Sequence, residues 1–115
     1  MQRVFALTFW LALAFTIVEA LRPAYRSLHL FAWDKLDHAI AFAVLTLCAA
    51  LAYPRWNMLR LGVALSALGA CIELAQGTAL IGRDGDVRDW MADTIAIAVV
   101  LSVAAVARWF MRQRA

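Results

Sequence analysis

Side chains that can exchange protons or hold ions recur at short spacings in this otherwise apolar chain. They are Asp34, Lys35, His38, Glu73, Gln76, Arg83, Asp89 and Asp93. His38 follows Asp34 by four residues, a spacing that puts a carboxylate beside an imidazole on one face of a helix. A histidine or glutamate can act as a general base, and lysine and arginine can hold an anion. This set of residues therefore predicts a site that combines a general base with cations that hold an anionic group.

The composition places these residues in a membrane protein. The chain is 65% hydrophobic and 17% charged, whereas a typical soluble domain is about 25% charged. A transmembrane helix needs about 20 apolar residues, so four helices with short connections use nearly all of the 115 residues. We therefore predict an all-α fold with one domain over residues 1–115, a polytopic membrane protein built as a bundle of four transmembrane helices.

Four apolar segments define the predicted spans, at about residues 4–21, 34–53, 58–81 and 90–110. Asp34 is a good N-cap for the second span, and Pro54 stops it. Trp33, Trp56, Trp90 and Trp109 fall near span ends, as expected of an aromatic belt. The first segment also fits a signal peptide cleaved after Ala20, which would leave three spans.

The charges divide unequally between the two membrane sides. With four spans, one side has six cations and no acid: Arg3, Arg55, Arg60, Arg108, Arg112 and Arg114. The other side has five cations and all eight acids. The positive-inside rule then predicts cytoplasmic termini and an outward-facing polar site in the cell membrane. Arginines that flank apolar segments have this membrane explanation, so the net charge of +3 does not indicate nucleic-acid binding.

Glu73 is the acid that this pattern places deepest. It precedes Gly82 by nine residues, which predicts a position about 13 Å below the outer end of the third helix. A carboxylate at that depth must be protonated, paired or coordinated. Gln76 shares its helix face and is expected to hydrogen-bond Glu73 or a ligand. The alternative is a polar clamp between helices.

The start of the fourth span offers a second group of acids. Asp89 is the predicted N-cap, and Asp93 lies one turn further on the same face. Helix N-termini with Lys35 and Arg83 nearby can bind phosphate. The excess of acid then requires protonation, pairing with arginine, or a bridging divalent metal. A divalent metal is therefore one alternative cofactor, although residues 82–86 lack the order of ligands found in calcium loops.

Together these motifs resemble the VanZ-like membrane proteins. The matching fragments are Asp34-Lys35-x-x-His38 with Phe42, Glu73-x-x-Gln76, Gly82-Arg83 and Asp89-x-x-x-Asp93. The resemblance covers residues 34 to about 100. It implies an α-helical membrane protein, connected in some members with low-level resistance to glycopeptide antibiotics such as teicoplanin. This chain departs from the family at Asp93, where asparagine is usual, and at Ala96, where glycine is usual.

Several functions fit this pattern. The first is an enzyme that acts on a membrane lipid head group or a lipid-linked cell-envelope intermediate. Because no activated nucleophile is evident, water is its expected attacking group. The predicted catalytic residues are His38, Glu73 and Asp89, and the predicted substrate-binding residues are Asp34, Lys35, Gln76, Arg83 and Asp93. The alternatives are non-catalytic binding of an envelope lipid, antibiotic or partner protein, an ion or proton pathway, and a purely structural network. An oligomer is also compatible with so small a bundle.

Overall fold

The described residues form four helices and the turns next to them. The computed structural model describes residues 1–22, 34–78, 81 and 85–115. The helices are α1 (Gln2–Ala20), α2 (Asp34–Ala52), α3 (Met58–Gln76) and α4 (Val87–Arg114). The all-α prediction is confirmed for this part of the chain.

Polar side chains fix where α3 and α4 begin. The Asn57 side-chain oxygen accepts hydrogen bonds from the backbone N–H groups of Leu59 and Arg60, at 2.9 and 3.2 Å. Asp86 does the same for α4, accepting from the Arg88 N–H at 2.9 Å. The cap of α4 is therefore Asp86, and the prediction that Asp89 caps this helix is wrong: Asp89 lies within the first turn.

Helix α3 ends earlier than the sequence predicts. Its last residue is Gln76, and the Gly77 N–H closes the final turn onto the Glu73 carbonyl at 3.1 Å. The Thr78 hydroxyl donates to the Ala75 carbonyl at 2.7 Å, which caps a second exposed carbonyl. Glu73 thus lies about 4–5 Å from the helix end, and the predicted depth of about 13 Å is wrong.

Helix α2 occupies the centre of the bundle. It packs most extensively against α4 and α1, whereas α3 packs mainly against α4. Phe42, Leu45 and Ala49 of α2 are almost fully buried, and Leu65 of α3 and Ile97 of α4 complete the adjoining core. Since consecutive helices run in opposite directions, the ends of α1 and α3 meet the beginnings of α2 and α4.

Hydrogen bonds from long side chains stabilise the opposite end of the bundle. The Arg108 guanidinium donates to the Ala50 carbonyl at 2.7 Å, which satisfies one carbonyl in the last turn of α2. The Trp10 indole donates to the Tyr53 hydroxyl at 2.9 Å, with Phe9 packed edge-on against both rings. These contacts join α4 and α1 to the end of α2.

Three of the helices are long and apolar enough to cross a membrane. These are α1, α3 and α4, and α2 contributes a shorter apolar stretch, Leu36–Ala52. Large apolar side chains cover the outer surface along these helices, with Leu59, Val63 and Val103 each more than 60% exposed. Such a surface is unfavourable in water and favourable in lipid. The structure therefore indicates a membrane protein.

Candidate functional site

Three ionisable side chains from three helices converge at one end of the bundle. His38 comes from α2, Glu73 from α3 and Asp93 from α4. The His38 Nδ1 atom lies 3.9 Å from Glu73 Oε1 and 3.9 Å from Asp93 Oδ1. One nitrogen or oxygen atom of each residue lies within 4.8 Å of the corresponding atoms of the other two. We call these three residues the polar triad.

The triad is shielded from solvent. Asp93 is 0% exposed and Glu73 is 7% exposed, and the His38 side chain is 10% exposed. Two carboxyl groups this close repel each other when both are ionised, and burial strengthens that repulsion. The arrangement therefore favours a positively charged group beside the two carboxylates.

The loop before α4 holds Glu73 in place. The Asp86 N–H donates to Glu73 Oε2 at 3.0 Å, while the Asp86 side chain caps α4. One residue thus ties the end of α3 to the beginning of α4. Glu73 is buried although it lies in the last turn of α3.

This loop approaches α3 so closely that glycine is required at one position. A Cβ atom on Gly85 would lie 2.8 Å from the Glu73 carbonyl oxygen and 3.4 Å from the Gly77 Cα atom. Both contacts are with backbone, which cannot rotate away. A Cβ atom on Gly77 would instead meet nothing nearer than 3.6 Å, an ordinary contact.

Gly85→Ala is therefore expected to lift the loop from α3 and to break the bond between the Asp86 N–H and Glu73. Overpacking of this kind costs about 1–3 kcal/mol. Thermal unfolding in detergent should show a lower midpoint for Gly85→Ala, while Gly77→Ala stays close to the wild type. Equal midpoints for the two variants would contradict the close approach.

A second glycine lets α3 come close to Asp93. A Cβ atom on Gly69 would lie 3.3 Å from Asp93 Oδ2, and 3.5 Å from atoms of both Phe42 and Trp90. Small residues at such positions allow helices to pack closely in membranes. Gly69 thus leaves room for the Asp93 carboxylate between α3 and α4.

Hydrogen bonds hold α3 and α4 at this separation. The Trp90 indole donates to the Ser66 carbonyl at 3.0 Å, and the Ser66 and Thr94 hydroxyls are 2.9 Å apart. Thr94 also donates to the Trp90 carbonyl at 2.9 Å. These bonds fix the α4 turn that carries Asp93.

The other predicted site residues lie in different places. Asp89 is buried one turn before Asp93 but is not one of the three residues whose polar atoms converge. Gln76 is buried and donates to the Ala20 carbonyl at 2.9 Å. Its predicted bond to Glu73 is therefore replaced by one that satisfies the terminal turn of α1, where carbonyls lack helical partners. Trp33, Gly82, Arg83 and the side chains of Asp34 and Lys35 lie outside the described residues.

The sequence reasoning missed Asp86 as a positioning residue. The signal was present, since an aspartate just before an apolar helix is a typical N-cap. Asp89 offered the same residue type three positions later, and only the structure distinguishes the two. The roles of Gly69 and Gly85 depend on contacts between distant segments and have no local signature.

The triad combines an imidazole with two carboxylates, a set suited to two kinds of chemistry. It can move a proton from water, with histidine or glutamate as the base. It can also coordinate a divalent metal ion, for which imidazole nitrogen and carboxylate oxygen are common ligands.

Comparisons of this chain with protein-family models, curated proteins and solved structures give no match. The resemblance to VanZ-like proteins stays a prediction from the sequence motifs.

Proposed function

We propose that this protein is an inner-membrane hydrolase that acts on the head group of a membrane lipid or of a lipid-linked cell-envelope intermediate. The observation that carries the proposal is the convergence of His38, Glu73 and Asp93 from three helices into one buried group. Ionisable groups are costly next to hydrocarbon, and membrane proteins that assemble them usually use them.

The proposed topology has four spans with both termini in the cytoplasm. Three helices have the length and apolar character for this, and α2 completes the bundle as its central helix. Helix α4 has 28 residues, or about 42 Å, which exceeds the hydrocarbon thickness of about 30 Å. Its last turn carries Arg112 and Arg114. The positive-inside rule assigns that end to the cytoplasm, so the triad faces outward.

The position of the triad suits a lipid head group. Glu73 lies in the last turn of α3 and Asp93 lies in the second turn of α4. Both are near helix ends, where a bilayer changes from hydrocarbon to head groups. A substrate could therefore present its polar part to the triad while its chains remain in the bilayer.

A groove between α3 and α4 supports a substrate with an acyl or prenyl chain. It has a volume of about 680 Å³ and a lining of mainly small and apolar residues, including Gly62, Ala67 and Ala98. Trp90 lines its end nearest the triad, and the same Trp90 ring lies beside Gly69, which also adjoins Asp93. The groove thus extends from the beginning of α3 toward the site.

The proposed reaction is hydrolysis of a phosphoester by water. Glu73 or His38 takes a proton from water, and the water oxygen forms a new bond to phosphorus. The bond from phosphorus to the ester oxygen breaks, and that oxygen leaves with a proton returned from the triad. Asp93 positions His38 through its carboxylate. In this proposal Lys35 and Arg83 hold the phosphate, as the sequence predicts.

A direct test uses the purified protein in nanodiscs. Phospholipids and lipid-linked envelope precursors are supplied in turn, with and without divalent ions, and release of the head group is followed by mass spectrometry. We expect release from at least one phosphoester lipid. Tight binding of a lipid without turnover would favour the non-catalytic binding protein over the enzyme. If the protein neither binds nor turns over any of these lipids, both hypotheses are contradicted.

Filling the groove is expected to weaken the use of long-chain substrates. Ala67 is exposed and lines the groove, so Ala67→Phe places a ring where the chain would lie. We expect about a tenfold loss of kcat/KM, equivalent to about 1.4 kcal/mol, for a long-chain lipid and little change for a short-chain analogue. Ala64 is exposed on the same helix but does not line the groove, which makes Ala64→Phe the matched control. Equal losses in the two variants would exclude a role for the groove.

A further inference from the structure

We infer that His38, Glu73 and Asp93 bind a divalent first-row transition-metal ion such as zinc or manganese. The inference rests on the proposed function and refines it: the three side chains would hold the ion, and the ion, rather than a free His38 or Glu73, would activate water. Metal binding itself is measurable whether or not the proposed reaction occurs.

The spacing of the three side chains is close to that of a metal site. With metal–ligand bonds of about 2.0–2.2 Å, two ligand atoms in a tetrahedral site lie about 3.4 Å apart. His38 Nδ1 is 3.9 Å from an oxygen of each carboxylate, and the whole group spans at most 4.8 Å. Rotations that move each side chain by less than about an ångström would bring all three to bonding distance of one ion.

The chemistry of the ligands indicates the class of metal. Calcium and magnesium take oxygen ligands almost exclusively, whereas imidazole suits zinc and other first-row transition metals. One nitrogen and two carboxylate oxygens therefore favour a transition metal. Three protein ligands leave a coordination position open for water, as in catalytic rather than structural zinc sites.

Charge and hydrogen bonding favour the same ion. Two carboxylates at 7% and 0% exposure offer anionic oxygen ligands of the kind that divalent cations bind. Glu73 is already oriented: its Oε2 atom accepts the Asp86 N–H while its Oε1 atom faces His38. Metal-binding carboxylates are usually held by an outer hydrogen bond of this kind.

The two cysteines do not belong to this site. Cys71 is exposed on the outside of α3. Cys48 follows His38 by ten residues on α2, about 15 Å along the helix. The inferred ligands are therefore one nitrogen and two oxygens, without sulfur.

The test is a metal titration of the purified full-length protein in detergent. The protein is treated with a chelator, dialysed and titrated with Zn²⁺ or Mn²⁺, and bound metal is counted by mass spectrometry. We expect one ion per chain. Loss of an outer hydrogen-bond partner alone weakens metal sites about 10–100-fold, so His38→Gln and Glu73→Gln should each weaken binding by about 100-fold or more.

Control variants separate this site from incidental binding. Glu19→Gln removes an acid at the same end of the bundle, and Cys71→Ser removes the exposed thiol; both should bind metal like the wild type. Circular dichroism confirms that each variant is folded. A Co²⁺ complex should show a spectrum of nitrogen and oxygen ligands without a thiolate band.

Each outcome bears on one hypothesis. Binding that is absent, unchanged in His38→Gln, or abolished in Cys71→Ser would overturn the metal site. Turnover by protein shown to be metal-free would overturn the role of the ion in activating water, while leaving the measured binding and the proposed hydrolase in place. A bound ion without turnover of any lipid would support the metal site and contradict the proposed reaction.

Discussion

Glu73→Gln is expected to lower lipid turnover by about 100-fold or more while the protein remains folded. A general base or metal-bound water at the triad needs the negative charge of this side chain, and loss of a general base costs about 10²–10⁴-fold in rate. Glutamine keeps the size of the side chain and an oxygen that can accept the Asp86 N–H, which glutamate accepts at 3.0 Å. The loop should therefore stay on α3, and thermal unfolding should be little changed.

Glu19 provides the matched control for this substitution. It is also a glutamate near the end of a helix at the same end of the bundle, and it pairs with Arg22 at 3.2 Å. The Arg22 side chain is 44% exposed, and exposed ion pairs contribute about 0–1 kcal/mol. Glu19→Gln should keep turnover within about twofold of the wild type. Equal turnover in Glu73→Gln and the wild type would remove Glu73 from the mechanism.

The helices themselves could be predicted from the sequence because their signals are local. Runs of apolar residues of bilayer length determine α1, α3 and α4, and Pro54 follows the end of α2 closely. Some boundaries were less accurate, and α4 also extends to Arg114, beyond its predicted end at about residue 110. Helix α3 ends at Gln76, five residues before its predicted end at residue 81, and α4 begins at Val87, three residues before its predicted start at residue 90. In both cases hydrogen bonds, rather than hydrophobicity, decide the boundary.

The candidate site was predictable as a set of residues but not as an arrangement. Spacing placed Asp89 and Asp93 on one helix face, yet it could not show that Asp93 meets His38 and Glu73 from other helices. That meeting depends on how α2, α3 and α4 pack, which is a property of distant residues. Likewise, Gln76 was expected to hydrogen-bond Glu73 or a ligand, but it donates to the Ala20 carbonyl of α1. Spacing could not predict this bond because Ala20 is 56 residues away in the sequence.

One loop residue links the fold to the proposed chemistry. Asp86 caps α4 with its side chain and holds Glu73 with its backbone N–H. The cap fixes the start of the helix that carries Asp93, so two members of the triad are positioned by the same residue. Gly85 makes this possible because its backbone lies against the Glu73 carbonyl.

Asp93→Asn is expected to separate a functional from a structural role for the triad. Asp93 is 0% exposed, and its carboxylate lies 3.9 Å from His38. Asparagine has nearly the same shape and lacks the charge. Removing one of two neighbouring buried carboxylates relieves their mutual repulsion, and substitutions at functional sites often raise stability at the cost of activity.

We therefore expect Asp93→Asn to unfold at the same or a higher temperature in the absence of metal, and to lose about 100-fold or more in turnover. The loss follows because a neutral amide is a weaker metal ligand than a carboxylate. Asp89→Asn is a useful comparison, since Asp89 is buried one turn away outside the triad; its loss of turnover should be smaller. A structural network predicts the opposite for Asp93→Asn: a lower unfolding temperature, with activity retained in the molecules that remain folded.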